Sequence, residues 1–186
     1  MGDGMTQISQ KYQTAQENSR KIEARLHASE TALTAKQLRQ HLDISTDDLQ
    51  MALILLQERL SQGALSLYET ASGYRLQIAT EFSPLIAQIF PQRQENLSQA
   101  LLETLSVIAY KQPVTRADIE QIRGVTVSSN ILRQLFDKGW IEEKGFKDTL
   151  GRPALLHTTP AFLDAFGLTS LADLPEMAQI NAPHDL

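Results

Sequence analysis

The sequence contains no cysteine, and this absence excludes several kinds of chemistry. The chain can form no disulfide, thiolate nucleophile or cysteine-ligated zinc or iron–sulfur site. A reducing cytoplasm is therefore the expected compartment. The sequence also lacks any apolar run of the roughly 18–20 residues needed to cross a bilayer. It does not begin with a basic segment followed by an apolar stretch. We expect neither a membrane span nor a secretion signal.

Positive charge is also scarce. Lys and Arg number 17 against 22 Asp and Glu, which gives a formal net charge of −5, and neither half of the chain is basic. Proteins that bind duplex DNA on their own usually carry a basic face that meets the phosphates. The composition therefore argues against autonomous DNA binding, although it leaves a local basic patch open.

The motifs of common catalytic and metal sites are missing as well. None of the four histidines is spaced from another histidine or from a carboxylate as the ligands of a metal site are. The sequence also has no glycine-rich phosphate loop, no GxSxG motif and no HExxH motif. The carboxylate pairs at residues 47–48 and 142–143 are typical of a helix start and an exposed strand. We therefore assign no catalytic residue, metal ligand or cofactor, and we expect the protein not to be an enzyme.

The middle of the chain reads as one unit repeated twice. Leu33 and Val114 each precede a threonine that can cap a helix, and Gln37 and Asp118 follow where a capping box places its polar partner. In both halves a helix precedes this capped helix, and a third helix and a β-hairpin follow it. This order is that of a winged-helix domain. The sequence predicts an α+β, mostly helical fold of two tandem winged-helix domains with short hairpin wings.

Changes in patterning set the predicted domain boundaries. The polar residues 1–15 are predicted to be disordered, and residues 16–82 to form an N-terminal winged-helix domain. Residues 83–96 are predicted as a linker that contains a short apolar helix. Residues 97–175 would form the C-terminal winged-helix domain, and residues 176–186 a disordered tail.

The helix predicted from Ser45 to about Ser61 is apolar on two faces. One face would supply the core of the N-terminal domain, with Leu49, Ala52, Leu53, Leu56 and Leu60. Met51, Ile54 and Leu55 point to the other side, where a DNA-reading helix would carry Arg, Lys, Asn or Gln. We interpret this second face as a protein interface, most simply a homodimer contact. The alternative is that the preceding helix or the linker helix covers it within the same chain.

Residues 103–125 carry the most distinctive motif, ETLSVIAYKQPVTRADIEQIRGV. This segment resembles bacterial segregation and condensation protein B, the winged-helix subunit of the condensin-like SMC complex. The similarity continues through GWIEE at residues 139–143, GRP at 151–153 and FGLTSLADLP at 166–175. In layout, the resemblance extends over residues 22–175.

The resemblance implies a non-catalytic adaptor without a cofactor that dimerises largely through its N-terminal domain. It also implies binding of the central segment of the kleisin, segregation and condensation protein A, which bridges the heads of an SMC ATPase. The chain would then support chromosome condensation and segregation, and it would associate with the nucleoid in the cytoplasm through that complex. Direct sequence-specific DNA binding is not expected. The alternative function is that of a winged-helix, DNA-binding transcriptional regulator.

Several residues of the distinctive motif have structural interpretations. Pro113 is expected to fix a turn, Thr115 to cap a helix, and Gly124 to permit a tight turn. Ile119 and Ile122 are predicted to face the core.

Four other side chains of this motif are not obviously required for core packing, namely Tyr110, Arg116, Glu120 and Arg123. We predict that these four contact the partner protein. The alternative is a set of local salt bridges, such as Glu120 with Arg116 or Arg123, which would explain three of the four.

Overall fold

A computed structural model describes residues 3–90 and 97–176 of the chain. The chain divides into two compact units, Met1–Gln94 and Glu95–Leu186, here called unit 1 and unit 2. Both are mostly helical, and each described part contains one two-stranded antiparallel sheet. The predicted α+β, mostly helical class is confirmed. In both units three helices precede the hairpin, which is the predicted order of elements.

The elements of unit 1 begin with the longest helix in the described residues. In chain order they are α1 (Asp3–Ala28), α2 (Ala35–Leu42), α3 (Thr46–Leu60), β1 (Leu65–Thr70), β2 (Gly73–Ile78) and α4 (Ser83–Ile89). Strands β1 and β2 pair in register from Leu65 opposite Ile78 to Thr70 opposite Gly73. A short 3-10 turn, Thr80–Phe82, connects the hairpin to α4.

Unit 2 repeats this order and adds a terminal helix. Its elements are α5 (Gln99–Lys111), α6 (Arg116–Arg123), α7 (Ser129–Asp137), β3 (Ile141–Phe146), β4 (Ala154–Thr158) and α8 (Pro160–Ala165). A 3-10 turn, Leu171–Asp173, follows α8. The hairpin register shifts between Glu143 and Phe146, where the ladder is irregular.

Matching capping boxes start the second helix of each unit. Thr34 Oγ1 accepts a hydrogen bond from the Gln37 backbone N–H at 3.2 Å, and Gln37 Oε1 accepts the Thr34 N–H at 2.8 Å. Thr115 and Asp118 make the same reciprocal pair at 3.2 and 2.9 Å. Since each box satisfies two donors that the first turn of a helix leaves free, both predicted helix starts are confirmed.

A short β-bridge also occurs at equivalent places in the two units. Leu33 exchanges two backbone hydrogen bonds with Tyr74 on β2, at 2.9 and 2.8 Å. Val114 makes the same exchange with Leu156 on β4, at 3.3 and 2.8 Å. Because Leu33 and Val114 also head the two matching sequence segments, the bridges support the predicted duplication.

Each unit has its own hydrophobic core. In unit 1 the predicted inward face of α3 is buried throughout, namely Leu49, Ala52, Leu53, Leu56 and Leu60. In unit 2 Ile119 is fully buried, as predicted, but Ile122 is 52% exposed. The prediction for Ile122 is wrong because Arg123 takes the inward position at the end of α6, with its side chain only 9% exposed.

Helix α1 corrects the predicted boundary of unit 1. The prediction of disorder for residues 1–15 is wrong from Asp3 onward, where the helix begins. Sequence periodicity missed this part because residues 7–14 are exposed and mainly polar, and of residues 7–15 only Ala15 is buried. Helix α1 packs along α3.

Other predicted boundaries are tested only in part. Helix α4 occupies the first half of the predicted linker, as the expected short apolar helix, and residues 91–96 lie outside the described residues. The predicted tail also lies outside them from residue 177 onward. In residues 3–90 and 97–176, no helix combines the length and apolarity that a membrane crossing requires.

Candidate functional site

The outer surface of α3 carries exposed aliphatic side chains. Met51 is 41% exposed and Ile54 is 62% exposed. At 100° per residue they share one edge of the helix with exposed Asp47 and Glu58. We call these four residues the α3 strip. Met51 and Ile54 are therefore neighbouring aliphatic side chains on a solvent-exposed edge.

Leu55 does not belong to this surface. Its exposure is only 7%, so the prediction that it lies at a dimer interface is wrong. Helix α1 packs along α3, and Arg59, one turn beyond Leu55, donates a hydrogen bond to Ser19 at 2.9 Å and pairs with Glu23. Of the three residues predicted at the interface, Leu55 is therefore covered within its own chain, whereas Met51 and Ile54 remain exposed.

Arg116 and Glu120 form a polar cluster that holds the turn between α6 and α7. Arg116 Nε lies 3.2 Å from Glu120 Oε1, and that same oxygen accepts the Val127 backbone N–H at 2.9 Å. Arg116 also donates to the Val127 carbonyl oxygen and to Ser129 Oγ. The Val127 amide, followed by Arg116, lowers the pKa of Glu120 below its ordinary value. The predicted alternative of a local ion pair is confirmed for these two residues.

Arg123 pairs with α5 instead of with Glu120. Its guanidinium donates to Glu103 Oε2 at 2.8 Å and to Thr104 Oγ1 at 2.9 Å. The hydrogen bond from Arg123, together with one from Gln99, lowers the pKa of Glu103. Because the Arg123 side chain is 9% exposed, it fastens α6 to α5 and presents little surface to a partner.

Tyr110 lies at an apolar groove on unit 2. The groove encloses about 330 Å³, and its principal apolar walls are Leu102, Leu105, Phe162, Phe166, Leu168 and Leu174. The Tyr110 hydroxyl donates a hydrogen bond to the Pro175 carbonyl oxygen at 2.6 Å, so it holds the segment after α8 against α5. Of the four predicted partner-binding residues, Tyr110 lines the groove, whereas Arg116, Glu120 and Arg123 do not.

Aromatic contacts and one carboxylate define the character of this groove. Phe166 packs against Trp140 and Phe162, with ring centroids 5.2 and 4.9 Å apart, so its ring is held in place. Asp173 also lines the groove, and hydrogen bonds from the Thr169 hydroxyl and then the Ser170 amide lower the pKa of its carboxyl. The groove can therefore bury apolar side chains of a polypeptide beside one ionised acid.

The hairpin of unit 2 uses one of its lysines internally. Lys147 Nζ lies 2.7 Å from Asp118 Oδ1. This contact, with the hydrogen bonds from Thr115, lowers the pKa of Asp118 to about 2. Lys147 therefore joins the hairpin to the start of α6, where it neutralises a protein carboxylate. Among the described residues, His, Asp and Glu side chains form no group of three that could hold a metal ion.

Comparison with known proteins agrees with the distinctive motif. A family model described as segregation and condensation complex subunit ScpB matches residues 20–177. A segregation and condensation protein B homolog of Coxiella burnetii is 42% identical over 163 residues, 86% of this chain and 78% of that protein. Segregation and condensation protein B of Bacillus subtilis is 40% identical over 168 residues, 89% of this chain and 84% of that protein.

A solved structure also matches. The crystal structure of ScpB from Mycobacterium tuberculosis is 32% identical and aligns with a TM-score of 0.39, covering 83% of this chain and 98% of that one. The family model spans both units, and the two relatives match over most of their own length. The chain therefore belongs to the ScpB family of segregation and condensation complex subunits.

Proposed function

We propose that this chain is a non-catalytic adaptor that pairs with a second copy through unit 1 and binds the kleisin, segregation and condensation protein A, through unit 2. The observation that carries the proposal is the apolar groove, which a polypeptide segment can fill with its own apolar side chains. Through the kleisin the chain acts on the SMC ATPase at the nucleoid, where it supports chromosome condensation and segregation.

The groove suits a peptide segment because its walls are already held in place. Phe166 rests on two aromatic neighbours, and Tyr110 ties down the segment that ends at Pro175. Preorganised apolar walls lower the entropic cost of binding, so a few aliphatic anchors of the kleisin supply most of the affinity. The ionised carboxyl of Asp173 favours a segment that carries a Lys or Arg beside those anchors.

The α3 strip supports pairing of two copies. Met51 and Ile54 remain exposed, whereas Leu55 is buried within the chain. Burying such side chains against a second copy removes apolar surface from water, at about 25 cal/mol per Å². In unit 2, three cationic side chains of the α6 region and the hairpin, Arg116, Arg123 and Lys147, pair with carboxylates of the same unit.

A binding titration with the kleisin encoded in the same genome tests this function. The Leu102→Glu variant places a charge at a groove residue that is 39% exposed, and we expect at least tenfold weaker binding. Leu150→Glu is the matched control, because Leu150 is fully exposed on the hairpin loop and does not line the groove. It should bind like the unmodified chain.

Two results would contradict the proposal. One is an unmodified chain that fails to co-elute with the kleisin or to bind it in calorimetry. The other is an equal loss of affinity in the two variants. Salt-sensitive binding to a preferred DNA site, without kleisin binding, would instead identify a transcriptional regulator.

A further inference from the structure

The side chains of α1 follow a heptad pattern that its own unit covers only in part. Apolar or small residues recur at alternating spacings of four and three, namely Ile8, Tyr12, Ala15, Ser19, Ile22 and Leu26. The last four of these are at most 5% exposed. Ile8 and Tyr12 continue the same edge of the helix but are 72% and 50% exposed. The edge that packs in unit 1 therefore extends beyond the part that unit 1 buries.

The lengths of the two helices explain this incomplete cover. Helix α1 has 26 residues and is about 39 Å long, whereas α3 has 15 residues and is about 22 Å long. Residues 7–14 of α1 are all exposed, and we call them the α1 arm. The arm lies before residue 20, where the match to the family model begins. It is thus a feature of this chain outside the region shared with the family model.

A helical arm of this kind gains little stability from its own sequence. Short helices in water are marginal, and most helix stability in proteins comes from packing of one face. The arm consists mainly of Gln, Ser and Thr, with Ile8 and Tyr12 as its only large apolar residues. Another surface that covered these two side chains would stabilise the arm.

The charges of the α3 strip make the arm a better occupant than a second strip. Asp47 and Glu58 flank Met51 and Ile54, so two strips that paired antiparallel would bring acidic residues together. The arm carries one charged residue, Lys11, which is exposed and basic. Docking the arm on the strip therefore joins apolar side chains to apolar side chains and a cation to an acidic edge.

We propose that the α1 arm of one protomer lies on the α3 strip of a second copy, and that the second arm does the same in return. Such an arrangement is two-fold symmetric and closes as a dimer. Ile8 and Tyr12 contact Met51 and Ile54, and Lys11 lies beside the strip's carboxylates. This inference rests on the proposed pairing of two copies and specifies which surfaces form it.

Disulfide trapping tests the proposed contact directly, because the native chain has no cysteine. The single-cysteine variants Ile8→Cys and Ile54→Cys are oxidised separately and as a mixture, and covalent dimers are measured by non-reducing electrophoresis. We expect covalent dimers mainly in the mixture, since arm meets strip only across the two copies. Efficient cross-linking of Ile8→Cys with itself, or no excess in the mixture, would overturn the proposal.

Light scattering on size-separated protein provides the second test. Replacing Ile8 and Tyr12 together with glutamate should weaken dimerisation at least tenfold, as should the same replacement of Met51 and Ile54. The control is Gln10→Glu with Thr14→Glu, two positions on the opposite side of the arm. It adds the same charge and should leave the dimer intact. Circular dichroism verifies that all variants keep their helices.

The outcomes separate this inference from the proposed function. If the dimer persists when Ile8 and Tyr12 are replaced but is lost when Met51 and Ile54 are replaced, arm docking is refuted and pairing through α3 still stands. Dimers that survive both variants would refute both surfaces. An unmodified chain that stays monomeric at all concentrations would refute arm docking together with the proposed pairing, whereas kleisin binding by unit 2 would be judged from its own titration.

Discussion

Replacing Arg123 with alanine should destabilise unit 2 more than the same replacement at Arg116 does. The Arg123 side chain is 9% exposed and makes two charge-assisted hydrogen bonds, to Glu103 and Thr104. A hydrogen bond to a charged group contributes about 1.5–3 kcal/mol. Glu103 is half exposed, so water can hydrate its carboxylate once Arg123 is removed. We therefore expect a loss of about 2–3 kcal/mol, below the about 3–5 kcal/mol of a fully buried pair.

Arg116 occupies the other end of the same helix in a more exposed setting. Its side chain is 48% exposed, and its partner Glu120 keeps the hydrogen bond from the Val127 amide when Arg116 is removed. Exposed ion pairs contribute up to about 1 kcal/mol, because solvent screens them. We therefore expect Arg116→Ala to destabilise unit 2 less than Arg123→Ala does. The two variants carry the same substitution at arginines that differ in burial and in their hydrogen-bond partners.

Urea unfolding followed by tryptophan fluorescence measures both losses. The chain has one tryptophan, Trp140, which lies in unit 2 and packs against Phe166. The signal therefore reports on unit 2, and an unchanged m-value would show that only stability has changed. Equal losses for the two variants would refute this reasoning. So would an Arg123→Ala variant as stable as the unmodified chain, since Arg123 would then not fasten α6 to α5.

Three further predictions follow from burial, backbone geometry and charge. Leu55→Ala should lower the free energy of unfolding of unit 1 by about 2–5 kcal/mol, measured by urea unfolding monitored by circular dichroism. Ile54→Ala, on the exposed strip, should change the stability of the monomer by less than about 0.5 kcal/mol. Similar losses for the two variants would contradict the assignment of Leu55 to the interior. Gly73→Ala should lower the melting temperature of unit 1, because its Cβ would lie 2.5 Å from the Leu33 carbonyl oxygen at a φ of +121°, and an unchanged melting temperature would disprove that close approach. The pKa of Asp118 falls from 3.8 to about 2 in the folded chain, so its carboxylate stabilises unit 2 above about pH 4 and that stability is lost as the pH falls towards about 2. Asp118→Asn should remove about 1 kcal/mol of this pH-dependent stability in acid unfolding curves; we expect no more because the lysine partner of Asp118 is partly exposed to solvent. If the curves of the variant ran parallel to those of the unmodified chain, the carboxylate would not be held in its ionised form.

Local signals account for the parts of the fold that sequence analysis predicted well. Thr34 and Thr115 start helices because a capping box depends on residues only three positions apart. The start of α3 at Ser45 and the pairing of β1 with β2 likewise depend on neighbouring residues. The duplicated order of elements was therefore accessible, because each half repeats the same local signals.

Contacts between distant elements account for the parts that sequence analysis missed. Helix α1 begins at Asp3, within the stretch predicted to be disordered, and it packs along α3, which lies far from it in the sequence. Leu55 is buried as well, and periodicity alone could not show which side of a doubly apolar helix meets a neighbour. Arg123 pairs with Glu103, which lies 20 positions earlier on another helix, so helical spacing within α6 could not identify its partner.

The candidate groove was missed for a related reason. Its walls come from α5 on one side and from α8 and the segment that follows it to Pro175 on the other, and these two parts are far apart in the chain. Only Tyr110 was singled out among its residues. The residue that could have indicated the groove is Leu102, an apolar residue of α5 that is 39% exposed. Recognising that residue required knowledge of which side of α5 faces the core.

The repeated β-bridge also determines how each unit responds to mechanical load. In unit 2, Val114 and Leu156 are joined by two adjacent backbone hydrogen bonds, and Thr115, next in the chain, caps α6. Tension on the second hairpin strand is therefore transmitted directly to the start of a helix. The bridge between Leu33 and Tyr74 gives unit 1 the same load path.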